Sequence, residues 1–355
     1  MRVDPKQLVR EEILAMKAYP VASAAGMVKL DAMENPYRLP EGLRGEIAQL
    51  AAGLEINRYP DPSAPALKAR LRQVFGIPES AGLLIGNGSD EIITLAAQTL
   101  SRPDAVMLAP EPSFVMYRMN AVFQRMRYVG VPLEADFGLN LGRMLEAIAE
   151  HRPALVFIAY PNNPTGNLFP VEAIERIIRA TPGLVVVDEA YHVFARRTFM
   201  DRLADFDNLM VMRTVSKLGL AGIRLGYAAA SPAWIDEMDK VRPPYNVGVL
   251  TQAVAERVLD HVDVLESQAA MIREARAGLF DRLADLPGVT AFPSEANFIL
   301  ARVPDADRVN AGMKRRGVLV RNLHGGHPLL ANCLRLTVGT PGENELMMAA
   351  LGESL

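Results

Sequence analysis

Four short apolar runs constrain this chain more than any other feature. They are Leu83-Leu84-Ile85, residues 154–159, Leu184-Val185-Val186-Val187 and residues 209–212, and each leads into a turn of polar, glycine or proline residues. Continuous apolar runs of this kind read as strands buried on both faces. From about Leu43 to Asn246 such runs alternate with helical stretches. The alternation predicts an α/β architecture with a mostly parallel sheet between helices. Sheets of that kind bind ligands in the crevice outside the carboxyl ends of their strands, so the turns are where chemistry is expected.

One turn carries a lysine. Residues 209–212 feed into Arg213-Thr214-Val215-Ser216-Lys217-Leu218-Gly219-Leu220-Ala221-Gly222-Ile223-Arg224. The glycines let a ligand approach the backbone, and Ser216 and Arg224 are suited to hold a phosphate. An amine beside a phosphate site is what pyridoxal phosphate (PLP) requires, since it needs a Schiff-base partner and an anchor for its tail. A second turn begins Asp188-Glu189-Ala190-Tyr191. Ionised Asp188 could keep a pyridine nitrogen protonated, and Tyr191 could reach the ring's phenolic oxygen. A third reads Tyr160-Pro161-Asn162-Asn163-Pro164-Thr165-Gly166. Asn163 could donate to the same oxygen and lower the pKa of the Schiff base. The fourth, Gly86-Asn87-Gly88-Ser89-Asp90-Glu91, opens a helical stretch, and free N–H groups at a helix start bind phosphate.

Each motif has a plainer reading. Lys217 could be a surface lysine, Asp188 a strand cap, and Asn-Pro and Thr-Gly a tight loop. Asn87-Gly88 would suit a hairpin. Their weight comes from meeting at strand ends that serve one chemistry.

Together the motifs resemble the aspartate-aminotransferase-like superfamily of PLP enzymes, fold type I. The succession Asn57-Arg58-Tyr59-Pro60-Asp61-Pro62, Gly86-Asn87-Gly88-Ser89-Asp90-Glu91, Pro161-Asn162-Asn163-Pro164-Thr165-Gly166, Asp188-Glu189-Ala190-Tyr191, Ser216-Lys217 and Cys333-Leu334-Arg335-Leu336-Thr337-Val338-Gly339 is similar to the histidinol-phosphate aminotransferase family. The resemblance runs from about Tyr19 to the C-terminal helix. It implies that Lys217 binds the cofactor covalently and moves the proton. It implies that Asp188 pairs with the pyridine nitrogen, and Asn163 and Tyr191 with the phenolic oxygen. Gly88, Ser89, Asp90, Ser216 and Arg224 would surround the phosphate. Tyr59 would reach it from a second subunit, which implies a homodimer with shared sites. Phe114 falls where the family usually stacks a tyrosine on the ring, and the segment from Lys217 to Arg224 is one residue shorter than in many relatives.

Substrate residues follow from the same resemblance. Arg335 would grip an anionic group through its planar fork of donors, with Arg321, Tyr19, Asn35 and Tyr37 as companions. The implied reaction moves an amino group between L-histidinol phosphate and 2-oxoglutarate, giving imidazole acetol phosphate and L-glutamate in histidine biosynthesis. Aromatic amino-acid aminotransferases and O-phosphothreonine decarboxylases share the cofactor residues and are the alternatives. A regulator that keeps the fold without catalysis is disfavoured by retention of Lys217, Asp188 and Asn163. A nucleotide-binding dehydrogenase is disfavoured because Gly86-Asn87-Gly88 lacks the Gly-x-Gly-x-x-Gly spacing.

The remaining features point the same way. At 355 residues the chain is too long for one ordinary core. The expected division is an N-terminal segment, 1–42, that joins the small domain; a large PLP-binding domain, 43–246; and a linking helical region with a small α+β domain, 247–355. The region from Val249 to Leu286 reads as one long helix or two shorter ones, and Thr340-Pro341-Gly342-Glu343 as a capping box. A net charge of −3 gives no case for nucleic acid. No apolar run approaches the ~20 residues of a membrane span, and residues 1–6 lack a signal-peptide pattern. One cysteine, Cys333, permits no internal disulfide and suits a reducing, cytoplasmic compartment. The pair His324-Gly325-Gly326-His327 reads as a turn near Arg321, and no metal is expected there.

Overall fold

The computed structural model describes residues 3–18 and 20–355. Among them are β1 (Val28–Leu30), β2 (Gly82–Asn87), β3 (Val106–Glu111), β4 (Arg127–Pro132), β5 (Leu155–Ala159) and β6 (Leu184–Asp188). Then come β7 (Leu209–Thr214), β8 (Leu225–Ala230), β9 (Thr290–Ala291), β10 (Phe298–Arg302), β11 (Val318–Asn322) and β12 (Cys333–Thr337). Seven form one sheet in the order β2-β8-β7-β6-β5-β3-β4. Its pairings are parallel except the two made by β8.

The apolar runs are unbroken because both faces of this sheet are covered. Val156 and Ile158 of β5 and Val185 and Val187 of β6 pack into one core, with the helix Val171–Ala180 laying Ile174, Ile177 and Ile178 against it. Leu155, Phe157, Leu184 and Val186 point the other way, into a core built with Ile92, Ile93 and Leu95 of the helix Ser89–Leu100. Successive strand residues face opposite sides, so a doubly covered strand must be apolar at every position.

Parallel strands share a direction, so β2, β3, β5, β6 and β7 bring their carboxyl ends to one edge. The antiparallel β8 begins at that edge, which places Arg224, the residue before it, among those turns. Gly226 makes the packing there possible. A Cβ on it would lie 2.4 Å from the backbone nitrogen of Ser89, so β8 can lie against the start of the helix Ser89–Leu100 only with glycine at this position.

The second sheet has the order β1-β11-β12-β10-β9. The N-terminal strand β1 runs parallel to β11, with Val28 opposite Val318 and Leu30 opposite Val320. β11 and β12 are antiparallel, with Arg321 opposite Arg335, so the two arginines share a face of the sheet. The region after Gly248 forms two helices, Val249–Leu259 and Val262–Ala284. His261, with φ −117° and ψ 39°, separates them. The last helix, Pro341–Gly352, has the expected capping box: Thr340 Oγ1 accepts from the Glu343 N–H, and the Glu343 carboxylate accepts from the Thr340 N–H.

Candidate active site

The turns at the carboxyl edge line one cavity, which contains Ser89, Asp90, Phe114, Asn163, Asp188, Tyr191, Ser216, Lys217 and Arg224. Every one of these was singled out in the sequence.

Asp188 ends β6 and is 5% exposed. Its Oδ2 accepts from the Tyr117 hydroxyl at 2.7 Å, and its Oδ1 from the Ala190 N–H at 3.1 Å. Burial pushes the carboxyl up to about 6, while these two donors pull it down. Among the described residues no lysine or arginine forms an ion pair with it. A buried carboxylate that faces a cavity and has no ion-pair partner among the described residues fits a protonated pyridine nitrogen.

Lys217 lies in a single π-type turn, Ser216–Leu220, after β7. Its Nζ donates to the Ala32 carbonyl at 2.9 Å, so a segment from the start of the chain closes over the amine. Burial, followed by the charge of Arg335, lowers the ammonium pKa to about 8. The neutral, nucleophilic amine is therefore accessible near physiological pH.

The phosphate cradle sits where the helix Ser89–Leu100 begins. Gly88 takes φ 80°, and a Cβ there would lie 2.4 Å from Nη2 of Arg224. Glycine is thus needed both for the turn and for the arginine. Arg224 donates through Nη2 to Asp90 at 3.2 Å and through Nη1 to Ser216 Oγ at 3.4 Å. Thr214 Oγ1 lies 2.9 Å from Ser216 Oγ and also lines the cavity. Two hydroxyls, a guanidinium and a helix start converge on one spot, which is the donor set a phosphate needs.

A larger cavity shares Met33, Phe114 and Asn163 with the first and reaches Arg335, Arg321, Glu111 and the His324–His327 turn. Arg335 is 6% exposed. It donates through Nη1 to Asn163 Oδ1 at 2.6 Å and through Nη2 to the Asp31 carbonyl at 2.9 Å. His324 Nδ1 accepts from the Asn332 N–H and His327 Nδ1 from the Leu329 N–H, so both rings are held as backbone acceptors in the turn.

Three sequence expectations, Asn35, Tyr37 and Tyr59, fall outside both cavities. Asn35 lines neither cavity. Its amide donates to the Leu218 carbonyl and to Gln268 Oε1, both at 2.9 Å, and its oxygen accepts from the Tyr37 N–H, so the side chain is committed to holding the Lys217 turn. Tyr59 is 79% exposed, stacks on Tyr245 at 4.3 Å and also lines neither cavity. Tyr19 lies outside the described residues. Sequence reading missed Tyr117, Thr214 and Met33. Only Tyr117 carried a signal, lying one helical turn beyond Phe114.

The chain matches the model of the family "Aminotransferase class I and II" over residues 25–351, and it belongs to that family. A histidinol-phosphate aminotransferase of Chromobacterium violaceum is 58% identical over 99% of both chains. Histidinol-phosphate aminotransferase 1 of Burkholderia mallei is 56% identical over 98% of both. A solved histidinol-phosphate aminotransferase of Sinorhizobium meliloti, in complex with pyridoxal-5'-phosphate, is 26% identical, with a TM-score of 0.86 over 98% of this chain and 97% of that one.

Two pH dependences follow. With Lys217 as the candidate amine, capture of pyridoxal phosphate by the apoprotein would need its neutral form, so the rate should rise with pH and level off above about 8. Stopped-flow absorbance would test this, and an inflection near 10 would contradict it. With Asp188 as the candidate partner of the ring nitrogen, equilibrium affinity would need its ionised form, which is lost as pH falls through about 6. Tyr117→Phe removes a hydrogen bond to a charged group, worth about 1.5–3 kcal/mol. It should move that inflection up by roughly one to two pH units. An unmoved inflection in a cofactor titration would remove Tyr117 from this role.

Proposed function

We propose that the protein transfers an amino group between L-histidinol phosphate and 2-oxoglutarate, yielding imidazole acetol phosphate and L-glutamate, as a step of histidine biosynthesis in the cytoplasm. The observation that carries this reading is the junction of the two cavities: Lys217 and Asp188 stand in one, Arg335 and Arg321 in the other, and Asn163 lines both. The names of the full-length relatives support the choice of substrate.

Pyridoxal phosphate supplies a carbonyl that condenses with amines and a ring that accepts the electron pair left when the substrate's α-proton is removed. Ser89, Ser216, Thr214 and Arg224 would hold its phosphate. Asp188 would pair with its ring nitrogen, and Tyr117 keeps that carboxylate ionised and aimed. Asn163 and Tyr191 would serve its phenolic oxygen, and Phe114 would cover its ring. Lys217 Nζ takes the α-proton and returns it. Its lowered pKa suits that task, because a base works best with a pKa near the working pH. Arg335 seats the substrate's phosphate in one half-reaction and a glutamate carboxylate in the other. We place the boundaries of the large domain at residues 43 and 246, with residues 1–42 assigned to the small domain.

Homodimeric assembly completes the site. Ile56 and Tyr59 are exposed, at 71% and 79%, and Tyr245 at 44%. This apolar surface fits a second copy of the chain, with Tyr59 reaching the other subunit's phosphate. The prediction is that mixing Lys217→Ala with Tyr59→Phe restores activity at cofactor levels too low for Tyr59→Phe alone. Each mixed dimer then has one site with both native residues. A mixture no more active than its components would sink the shared site.

A substrate panel tests the reaction. Purified protein should transaminate L-histidinol phosphate in preference to phenylalanine and O-phosphothreonine. Arg335→Leu should lower kcat/KM for L-histidinol phosphate and for glutamate by about 2–5 kcal/mol in transition-state stabilisation. Arg335→Lys, which keeps the charge and loses the fork, should recover only part. A loss confined to glutamate would mean the phosphate has its own site.

A further inference from the structure

The outer cavity is lined by Lys17, Arg118, Arg321 and Arg335, and among the described residues Glu111 is its single acidic side chain. Glu111 ends β3, and its side chain is 19% exposed. It is held by two side chains, Arg118 and Tyr128. Arg118 Nε and Nη2 donate to Oε1 at 3.1 and 2.8 Å, and Nη2 also reaches Oε2 at 2.8 Å. The Arg118 guanidinium lies over the Tyr128 ring, 4.5 Å from its centroid. The Tyr128 hydroxyl lies against the same carboxylate, and its pKa is raised by burial first and by Glu111 second. Gly130 on β4 leaves the space: a Cβ there would come within 2.2 Å of Oε2. A carboxylate offers about four lone-pair sites. Three donor atoms, Arg118 Nε and Nη2 and the Tyr128 hydroxyl, fix its direction, and with Nη2 shared between the two oxygens one further donor can be accepted.

We infer that Glu111 reads the substrate's ring by accepting its N–H. This rests on the proposed function and deepens it, since it assigns the group that tells an imidazole from a phenyl ring. The charge pattern is the reason. A substrate with a phosphate at one end and an N–H ring at the other meets arginines with the first and the cavity's one carboxylate with the second. Phe114 and Met33 line the cavity between the chemistry and this wall's residues without offering a ring nitrogen a partner of opposite charge. A phenyl ring has no N–H to give, so it gains nothing from Glu111. Sites built to hydrogen-bond a substrate group discriminate well against analogues that lack it.

The test uses the PLP-loaded enzyme with L-histidinol phosphate and L-phenylalaninol phosphate, which differ only in the ring. Glu111→Met keeps length and removes the acceptor. It should lower the ratio of kcat/KM for the imidazole over the phenyl substrate by about 10- to 100-fold, mostly through KM. Glu111→Gln keeps an acceptor oxygen and should fall between. Cofactor absorbance reports whether each variant retains its fold and site, and Glu111→Gln carries the test if Glu111→Met does not. Equal losses on both rings, or an unchanged preference in a wild type active on L-histidinol phosphate, overturn the ring assignment alone. A wild type that does not turn over L-histidinol phosphate overturns the proposed function, and this assignment with it.

Discussion

A buried carboxylate with no ion-pair partner among the described residues is the constraint around which this molecule is arranged. Asp188 sits at the end of the central strand β6, between the ends of β5 and β7. Taking a charge out of water is costly unless something compensates it. The Tyr117 hydroxyl and one backbone N–H compensate part of the cost, and the carboxyl pKa still stands well above its ordinary value. The fold thus holds a site whose electrostatics a cationic ring would complete. The neighbouring residue shows the contrast. Glu189 is equally buried, but Arg213 pairs with it at 2.8 Å, and Thr198 and the Phe199 N–H bond to it. Asp188 faces the cavity, whereas Glu189 and its partners tie the turn to the body of the protein.

The second sheet supplies what the first lacks. Arg335 comes from β12, and the segment after β1 supplies the Asp31, Ala32 and Met33 positions. Through them Arg335 and Lys217 are coupled. Arg335 donates to the Asp31 carbonyl, Lys217 to the next carbonyl, and the positive charge of Arg335 lowers the ammonium pKa of Lys217. An anion seated on Arg335 would offset that charge and make the amine a stronger base. Asn35 reinforces the junction by linking the same segment to the Lys217 turn and to the helix Val262–Ala284.

Much of this was legible because the informative residues are local to their strands. Asp188, Asn163, Lys217 and Ser89 each lie within a few residues of an apolar run, and a run buried on both faces announces itself by being apolar at every position. Arg335 was legible only through resemblance, since nothing in the run Cys333-Leu334-Arg335-Leu336-Thr337 marks it as facing a cavity. Asn35 shows the limit. Its place in a resembling pattern suggested the substrate, while its hydrogen bonds serve the backbone of the Lys217 turn. Tyr117, in the helix Met116–Phe123, gave little warning, because a fully buried tyrosine in an apolar helix resembles core until its hydroxyl partner is known.

The sequence by itself determined the alternation of strand and helix, the polar turns at the strand ends and the residue types that suit an amine, a ring nitrogen and a phosphate. These are properties of short segments, set by periodicity and turn chemistry. Only the tertiary structure decided that β8 runs against its neighbours and so delivers Arg224 to the phosphate cradle. It also decided that β1 joins β11, which carries the Ala32 carbonyl to Lys217, and that Glu111 is held by Arg118 and Tyr128 in a cavity of cations. Each depends on pairings between segments distant in the chain, where strand direction and register fix which side chains meet. Local sequence does not encode that choice.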